Sequence, residues 1–191
     1  QLRELKGWNN FPAENKSFIL APGTSDFVTI GKNFINEYKR TFNTVNFFLA
    51  DPFNENTIPI QASNRESELA MYGKSISDAI AAADPEGVWV MPGTTFSHNG
   101  TFWDKNNVKA FLSLVPDNKM IIIDIANENF SGWKKYEGFY GKPWIYSVVP
   151  NYGGNTQLGG DLPFYSCNPE EMLSNPKKGN MAGFGISPEG I

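Results

Sequence analysis

A chain of 191 residues with 40% hydrophobic and 19% charged residues can fill one sizeable core, which excludes a largely disordered polypeptide. The formal net charge of −4 argues against nucleic acid or an anionic membrane surface as partner. Cys167 is the only cysteine, so an internal disulfide and a Cys-rich metal site are both excluded, and no apolar run approaches the length of a membrane span.

Phe18-Ile19-Leu20-Ala21 is the first strand-like run. Residues Asp26 to Phe42 have helical period, with Phe27, Ile30, Phe34, Ile35 and Tyr38 on one face. Asp26 near the start and Lys39-Arg40 near the end complement the helix dipole. A strand over Val45 to Ala50 follows, then a helix over Ser63 to Ala83. That helix opens on a Ser63-x-x-Glu66 capping box, points Leu69, Ile76, Ala79 and Ile80 inward, and ends at Asp84-Pro85. Gly87 to Met91 reads as a strand, and Asn106 to Val115 as a helix closed by Pro116. Met120 to Ile125 is almost continuously apolar, as for a strand buried on both faces. Trp144 to Val149 is another strand and Gly183 to Ile186 a shorter one. The stretch from Tyr152 to Gly179, rich in Gly, Asn and Pro, reads as a long loop with one helical turn at most.

Strands alternating with helices imply a parallel sheet with helical crossovers. The count is five strands, or six with Phe18 to Ala21. A complete (β/α)8 barrel needs about 250 residues, so the chain is either a small open α/β fold or part of a barrel. A half-barrel would leave two unpaired strand edges. The chain does not begin with Met, so a preceding segment is expected.

Two segments carry the chemistry. Asp51-Pro52-Phe53-Asn54-Glu55 and Asp124-Ile125-Ala126-Asn127-Glu128 each follow an apolar strand, and each delivers an Asn-Glu pair at its C-terminal end. In a barrel of parallel strands that end faces the substrate. Two carboxylates across a cleft are what glycosidic cleavage needs, about 5–5.5 Å apart in retaining enzymes and 6.5–9.5 Å in inverting ones. A third acidic residue, Glu189, follows the last strand in Ser187-Pro188-Glu189-Gly190, where a surface turn is the ordinary alternative. His98, the only histidine, follows a strand and could hydrogen-bond a sugar hydroxyl. Asn151-Tyr152-Gly153-Gly154-Asn155 offers amides and a ring after the strand ending near Val149, although Gly-Gly turns are common loop chemistry. The aromatic content suits either sugar stacking or a large core. Metal binding is poorly supported and no cofactor is called for: no second histidine or cysteine ligand is available, and no Gly-Lys phosphate loop or nucleophile elbow occurs. Sequons at Asn15, Asn99 and Asn129 are of a kind common by chance.

In order along the chain stand Ser17-Phe18-Ile19-Leu20-Ala21-Pro22, Asp51 to Glu55, Val88-Trp89, Phe96-x-His98 with Phe102-Trp103, Asp124 to Glu128, Asn151 to Asn155, and Ser187-Pro188-Glu189-Gly190-Ile191. This order resembles the α-N-acetylglucosaminidases of glycoside hydrolase family 89, over nearly the whole chain. The resemblance implies a TIM-type (β/α)8 barrel of which only the C-terminal part, about five or six βα units, is present, as a segment of a longer enzyme. It implies retaining removal of terminal α-linked N-acetylglucosamine, with Glu55 as acid/base and Glu128 as nucleophile. The environment is then expected to keep Glu55 protonated and Glu128 ionised. Asn54 would contact a sugar hydroxyl or the nucleophile, and Trp8, His98, Trp103, Trp144, Asn151, Tyr152 and Asn155 are pocket candidates. The implied partners are a glycan substrate and the remaining barrel and flanking domains of the parent chain, in a secreted, periplasmic or lysosomal setting. Thr94 departs from the aromatic that the family commonly carries in the Gly-x-x-Phe turn, which alters one stacking platform. A sugar-binding relative without catalysis, and a retaining glycosidase for another sugar, are the alternatives.

Overall fold

The computed structural model describes residues 2–5, 12, 14, 17–43, 46–53, 59–151, 153 and 159–188. Strands β1 (Leu2–Leu5) and β2 (Ser17–Leu20) pair antiparallel as a separate ribbon. The Phe18 run is therefore a strand, but it does not join the parallel sheet as a sixth member. Five strands form that sheet in chain order: β3 (Phe47–Leu49), β4 (Val88–Pro92), β5 (Met120–Asp124), β6 (Trp144–Val148) and β7 (Met181–Ile186). All four pairings are parallel. Sequential parallel strands with right-handed crossovers put every connecting helix on one face.

Helix α1 (Ser25–Phe42) starts where the Thr24 hydroxyl accepts from the Phe27 N–H, and it ends on left-handed Asn43. Helix α2 (Arg65–Ala83) is preceded by a 3-10 turn over Ala62–Asn64. The Ser63–Glu66 capping box does not form, because that turn moves the α-helical start to Arg65 and no side chain caps it. Helix α3 (Lys105–Ser113) is capped by Asp104, whose carboxylate accepts from the Asn107 N–H at 2.8 Å. The β5–β6 crossover contains only one short helix, α4 (Gly132–Lys135). Between β6 and β7, where the composition reads as a loop, lies α5 (Leu162–Ser174). It is started by Asp161, which accepts from the Phe164 N–H, and by Pro163 in the first turn.

The core lies between sheet and helices. Phe48, Trp89, Met91, Met120, Ile122, Trp144 and Tyr146 point to one face and pack against Leu69, Tyr72, Phe111 and Trp133. The opposite face carries Val88, Val90, Ile121, Ile123 and Ile145, all half-buried. Strand β5 is thus covered on one side only among the described residues, not on both. On α1, Ile35 is buried and Phe27 packs on the core, but Ile30, Phe34 and Tyr38 of the same stripe are exposed. The two sheet edges are apolar as well: Phe47 and Leu49 on β3, Phe184 and Ile186 on β7.

Candidate active site

The C-terminal end of β3 is fixed from β4 and the turn after it. The Trp89 indole N–H donates to the Ala50 carbonyl at 2.8 Å, and the Thr95 hydroxyl donates to the Asp51 carboxylate at 2.7 Å. Phe53 is buried against Tyr72, Trp103 and Phe111. These contacts anchor the segment that leads into Asn54 and Glu55, which lie outside the described residues, as do Trp8, Tyr152 and Asn155.

Strand β5 ends in Asp124, which shares its buried face with Met120 and Ile122. One carboxylate oxygen accepts from the Gly132 N–H at 3.2 Å and the other from the Trp133 N–H at 3.1 Å. The carboxyl therefore joins the two ends of the loop that carries Glu128. Burial pushes its pKa up to about 7, against the opposing pull of the Trp133 and Gly132 N–H groups and of Asn127. Space here is closed: a Cβ on Gly132 would stand 2.5 Å from Asp124 Oδ1, and one on Gly93 would stand 2.9 Å from the Ile123 carbonyl.

Within the loop Ala126 takes a left-handed conformation, φ 61°. Asn127 is buried; its amide donates to the Asp124 carbonyl at 2.5 Å and to the Ser147 carbonyl at 3.2 Å. Its backbone N–H also reaches Ser147, tying the loop to β6. Glu128 then presents Oε1 to the Val149 N–H at 3.0 Å. Its charge also raises the pKa of Tyr146 and Tyr165, in each case after the larger effect of burial. The end of β6 is joined to β7 by the Ser147–Ser187 hydroxyl pair at 2.7 Å.

The described part of the site thus gathers Glu128 and the buried Asn151 at the ends of β5 and β6. His98 is exposed, in the turn after the 3-10 segment that follows β4. Trp103 and Trp144, expected at the pocket, lie in the core. Trp103 is buried among Phe53, Phe96, Phe102 and Phe111. Trp144 opens β6, at the end opposite Glu128, stacks on Trp133 at 5.8 Å and donates its N–H to the Lys178 carbonyl. Both are large core side chains, which a count of aromatics cannot tell from stacking platforms. Asn127 was read from sequence only as half of an Asn-Glu pair, and Asp124 and Tyr165 were given no role. The signal for Asp124 was an acid on the buried parity of an apolar strand. Among the described residues no group of three or more His, Cys, Asp or Glu is placed to hold a metal, and no helix is long and apolar enough to cross a membrane.

All 191 residues match the family model of the α-N-acetylglucosaminidase (NAGLU) TIM-barrel domain. This chain belongs to that family. It is 33% identical over 189 residues to human α-N-acetylglucosaminidase, covering 98% of this chain and 25% of the human protein. It spans, then, about a quarter of that relative's length. Its fold is that of a family 89 glycoside hydrolase from Clostridium perfringens solved with PUGNAc, with a TM-score of 0.74 at 22% identity over all of this chain and 20% of the other. A variant from the same organism, with two glutamates changed to glutamine and GlcNAc-α-1,4-galactose bound, matches with a TM-score of 0.75 at 21% identity.

Proposed function

We propose that this chain carries part of the catalytic barrel of a longer, retaining glycoside hydrolase that releases terminal α-linked N-acetylglucosamine. The observation that carries the reading is that the segments leading to the carboxylates begin at the C-terminal ends of strands in one parallel sheet. Asp51 to Glu55 follows β3, Asp124 to Glu128 follows β5, and Ser187 to Glu189 follows β7. The apolar edges of β3 and β7 and the half-covered sheet face suit further barrel strands of the parent chain. Glu55 is the acid/base: it protonates the glycosidic oxygen, then deprotonates the water that hydrolyses the glycosyl-enzyme. The nucleophile attacks the anomeric carbon from the opposite face. Glu128, clamped by the Val149 N–H after β5, is the first reading for that role.

A second reading gives the nucleophile to Glu189. In the Clostridium perfringens substrate complex the two replaced glutamates are more than a hundred positions apart in their own chain. Here Glu55 precedes Glu128 by fewer than eighty positions, and Glu189 by more than a hundred and thirty. That spacing favours Glu189 and leaves Glu128 as the residue that ties the end of β5 to β6. Asn54, Asn151, Tyr152, Asn155, His98 and Trp8 remain the proposed sugar contacts.

The test is azide rescue of Glu55→Ala, Glu128→Ala and Glu189→Ala in the parent polypeptide, assayed on an activated α-N-acetylglucosaminide. Loss of the nucleophile gives the β-glycosyl azide under rescue, and loss of the acid/base gives the α-azide. Whichever of Glu128 and Glu189 yields the β-azide is the nucleophile. Wild-type turnover by all three variants would refute the assignment of these glutamates, and sugar binding without turnover in the unaltered protein would favour a lectin-like relative.

A further inference from the structure

Side chains of β6 alternate between the two faces of the sheet. Trp144 and Tyr146 pack in the core towards the helices, whereas Ile145 and Ser147 belong to the opposite face with Val88, Val90, Ile121 and Ile123. Ser147 is the polar exception in that apolar set, and it is fully buried. Its hydroxyl therefore needs a partner inside the protein. The partner is the Ser187 hydroxyl, at 2.7 Å, just past the end of β7. Room for the pair comes from Gly185, the β7 residue opposite Ser147. A Cβ there would stand 3.3 Å from Ser147 Oγ, tighter than ordinary contact.

Ser147 also holds the loop on its other side. Its carbonyl accepts from the Asn127 backbone N–H at 3.1 Å and from the Asn127 side-chain amide at 3.2 Å. One residue thus touches both segments that lead to a candidate nucleophile, because Asn127 directly precedes Glu128 and Ser187 stands two positions before Glu189. The two attachments are unequal. On the β5 side, Asn127 is held again by the Asp124 carbonyl, and Glu128 by the Val149 N–H. On the β7 side, the strand has no neighbour along its far edge among the described residues. Ser187 is held there by two bonds to β6: its N–H donates to the Val148 carbonyl at 2.9 Å, and its hydroxyl meets that of Ser147. Only the second of these involves side chains. Anchoring at this point carries forward along the chain. A residue before proline is confined to extended backbone, and proline fixes its own φ, so few soft torsions separate an anchored Ser187 from Glu189.

We propose that Ser147 is a positioning residue of the glycosidase site: its hydroxyl, acting through Ser187, holds the segment of Glu189 in register with the Glu128 loop. The inference rests on the function proposed above, in which these two segments flank the reacting sugar.

The experiment compares the parent polypeptide with Ser147→Ala, Ser187→Ala, Ser187→Thr and the double alanine variant, by steady-state kinetics on an activated α-N-acetylglucosaminide and by hydrogen exchange over residues 187–191. Ser147→Ala keeps the carbonyl that holds Asn127 and leaves behind only the hydroxyl of half-buried Ser187, so the fold should persist. It should lower kcat about tenfold with KM changed by no more than about twofold, as misplacement of a reacting group does. Exchange over residues 187–191 should quicken about tenfold as that segment loosens. Ser187→Thr keeps the hydroxyl and should stay near wild type in both readouts. The double variant should lose no more than the larger single loss, since both substitutions remove one bond. Tyr136→Phe removes a buried hydroxyl elsewhere, between the Phe96 and Trp103 carbonyls, so it should lower the melting temperature and leave kcat unchanged. Wild-type kcat or wild-type exchange in Ser147→Ala, multiplied losses in the double variant, or an equal loss of kcat in Tyr136→Phe would each overturn the proposal. Absence of turnover in the unaltered polypeptide would refute the glycosidase reading instead, and the exchange comparison would still decide whether Ser147 holds the Glu189 segment.

Discussion

Asp124→Asn isolates the cost of keeping an acid inside the clamp that supports the Glu128 loop. The folded carboxyl titrates near 7 because burial outweighs its two N–H donors and Asn127, whereas an unfolded aspartate titrates at about 3.9. The folded pKa lies above the unfolded one, so the native state binds the extra proton. Its contribution is fully present below about pH 4 and is lost as pH rises towards 7. Integrated between pH 4.5 and pH 7.5, the loss is about 3 kcal/mol at about 1.4 kcal/mol per pKa unit. Asparagine keeps the shape but does not titrate; its NH2 cannot accept from one of the two N–H groups, a cost that does not vary with pH, so the change of the difference with pH reports the aspartate alone. The assay is thermal unfolding of wild type and Asp124→Asn across that range, where all other titrating groups cancel in the difference. For a chain of this size the gap between the two melting temperatures should change by about 6–12 °C in favour of asparagine as pH rises. Parallel melting curves across the range would show that Asp124 is ionised in both states and would refute the argument.

Gly132→Ala should cost about 1–3 kcal/mol in denaturant unfolding, because its Cβ meets Asp124 Oδ1 at 2.5 Å. Tyr136→Phe removes the hydroxyl shared by the Phe96 and Trp103 carbonyls, at 3.1 and 2.8 Å, and should lower stability by about 1–3 kcal/mol. Trp144→Phe should destabilise by a similar amount through the lost Lys178 hydrogen bond and a poorer stack on Trp133. Because Trp144 lies at the far end of its strand from Glu128, the proposed affinity of the parent polypeptide for N-acetylglucosamine should be unchanged by this substitution, as a binding isotherm would show.

Much of the scaffold was legible because it rests on local pattern. The apolar runs around Phe48, Trp89, Ile122 and Tyr146 are the strands of the parallel sheet, and the 3.6-residue period of Leu69, Ile76 and Ile80 marks a buried helix face. Helix α5 was missed because a single residue, Met172, is buried on it, so it has little apolar period to read, and Pro169 lies in its interior. Its Asp161 cap and first-turn proline were the available signals. On α1 the stripe was read correctly, but the depth of burial was not. Phe34 and Tyr38 remain exposed because nothing among the described residues packs beyond β3.

The candidate site divides along the same line. By itself the sequence determined that Glu55, Glu128 and Glu189 each follow a strand, since strand position and chain order are local properties. Only the tertiary structure decided that Asp124 closes the Glu128 loop through Gly132 and Trp133, that the Val149 N–H holds Glu128, and that Trp103 and Trp144 belong to the core. Such contacts join residues well separated in the chain or in different strands. An aromatic ring or a carboxylate has the same letter whether it meets a sugar, a backbone amide or another ring.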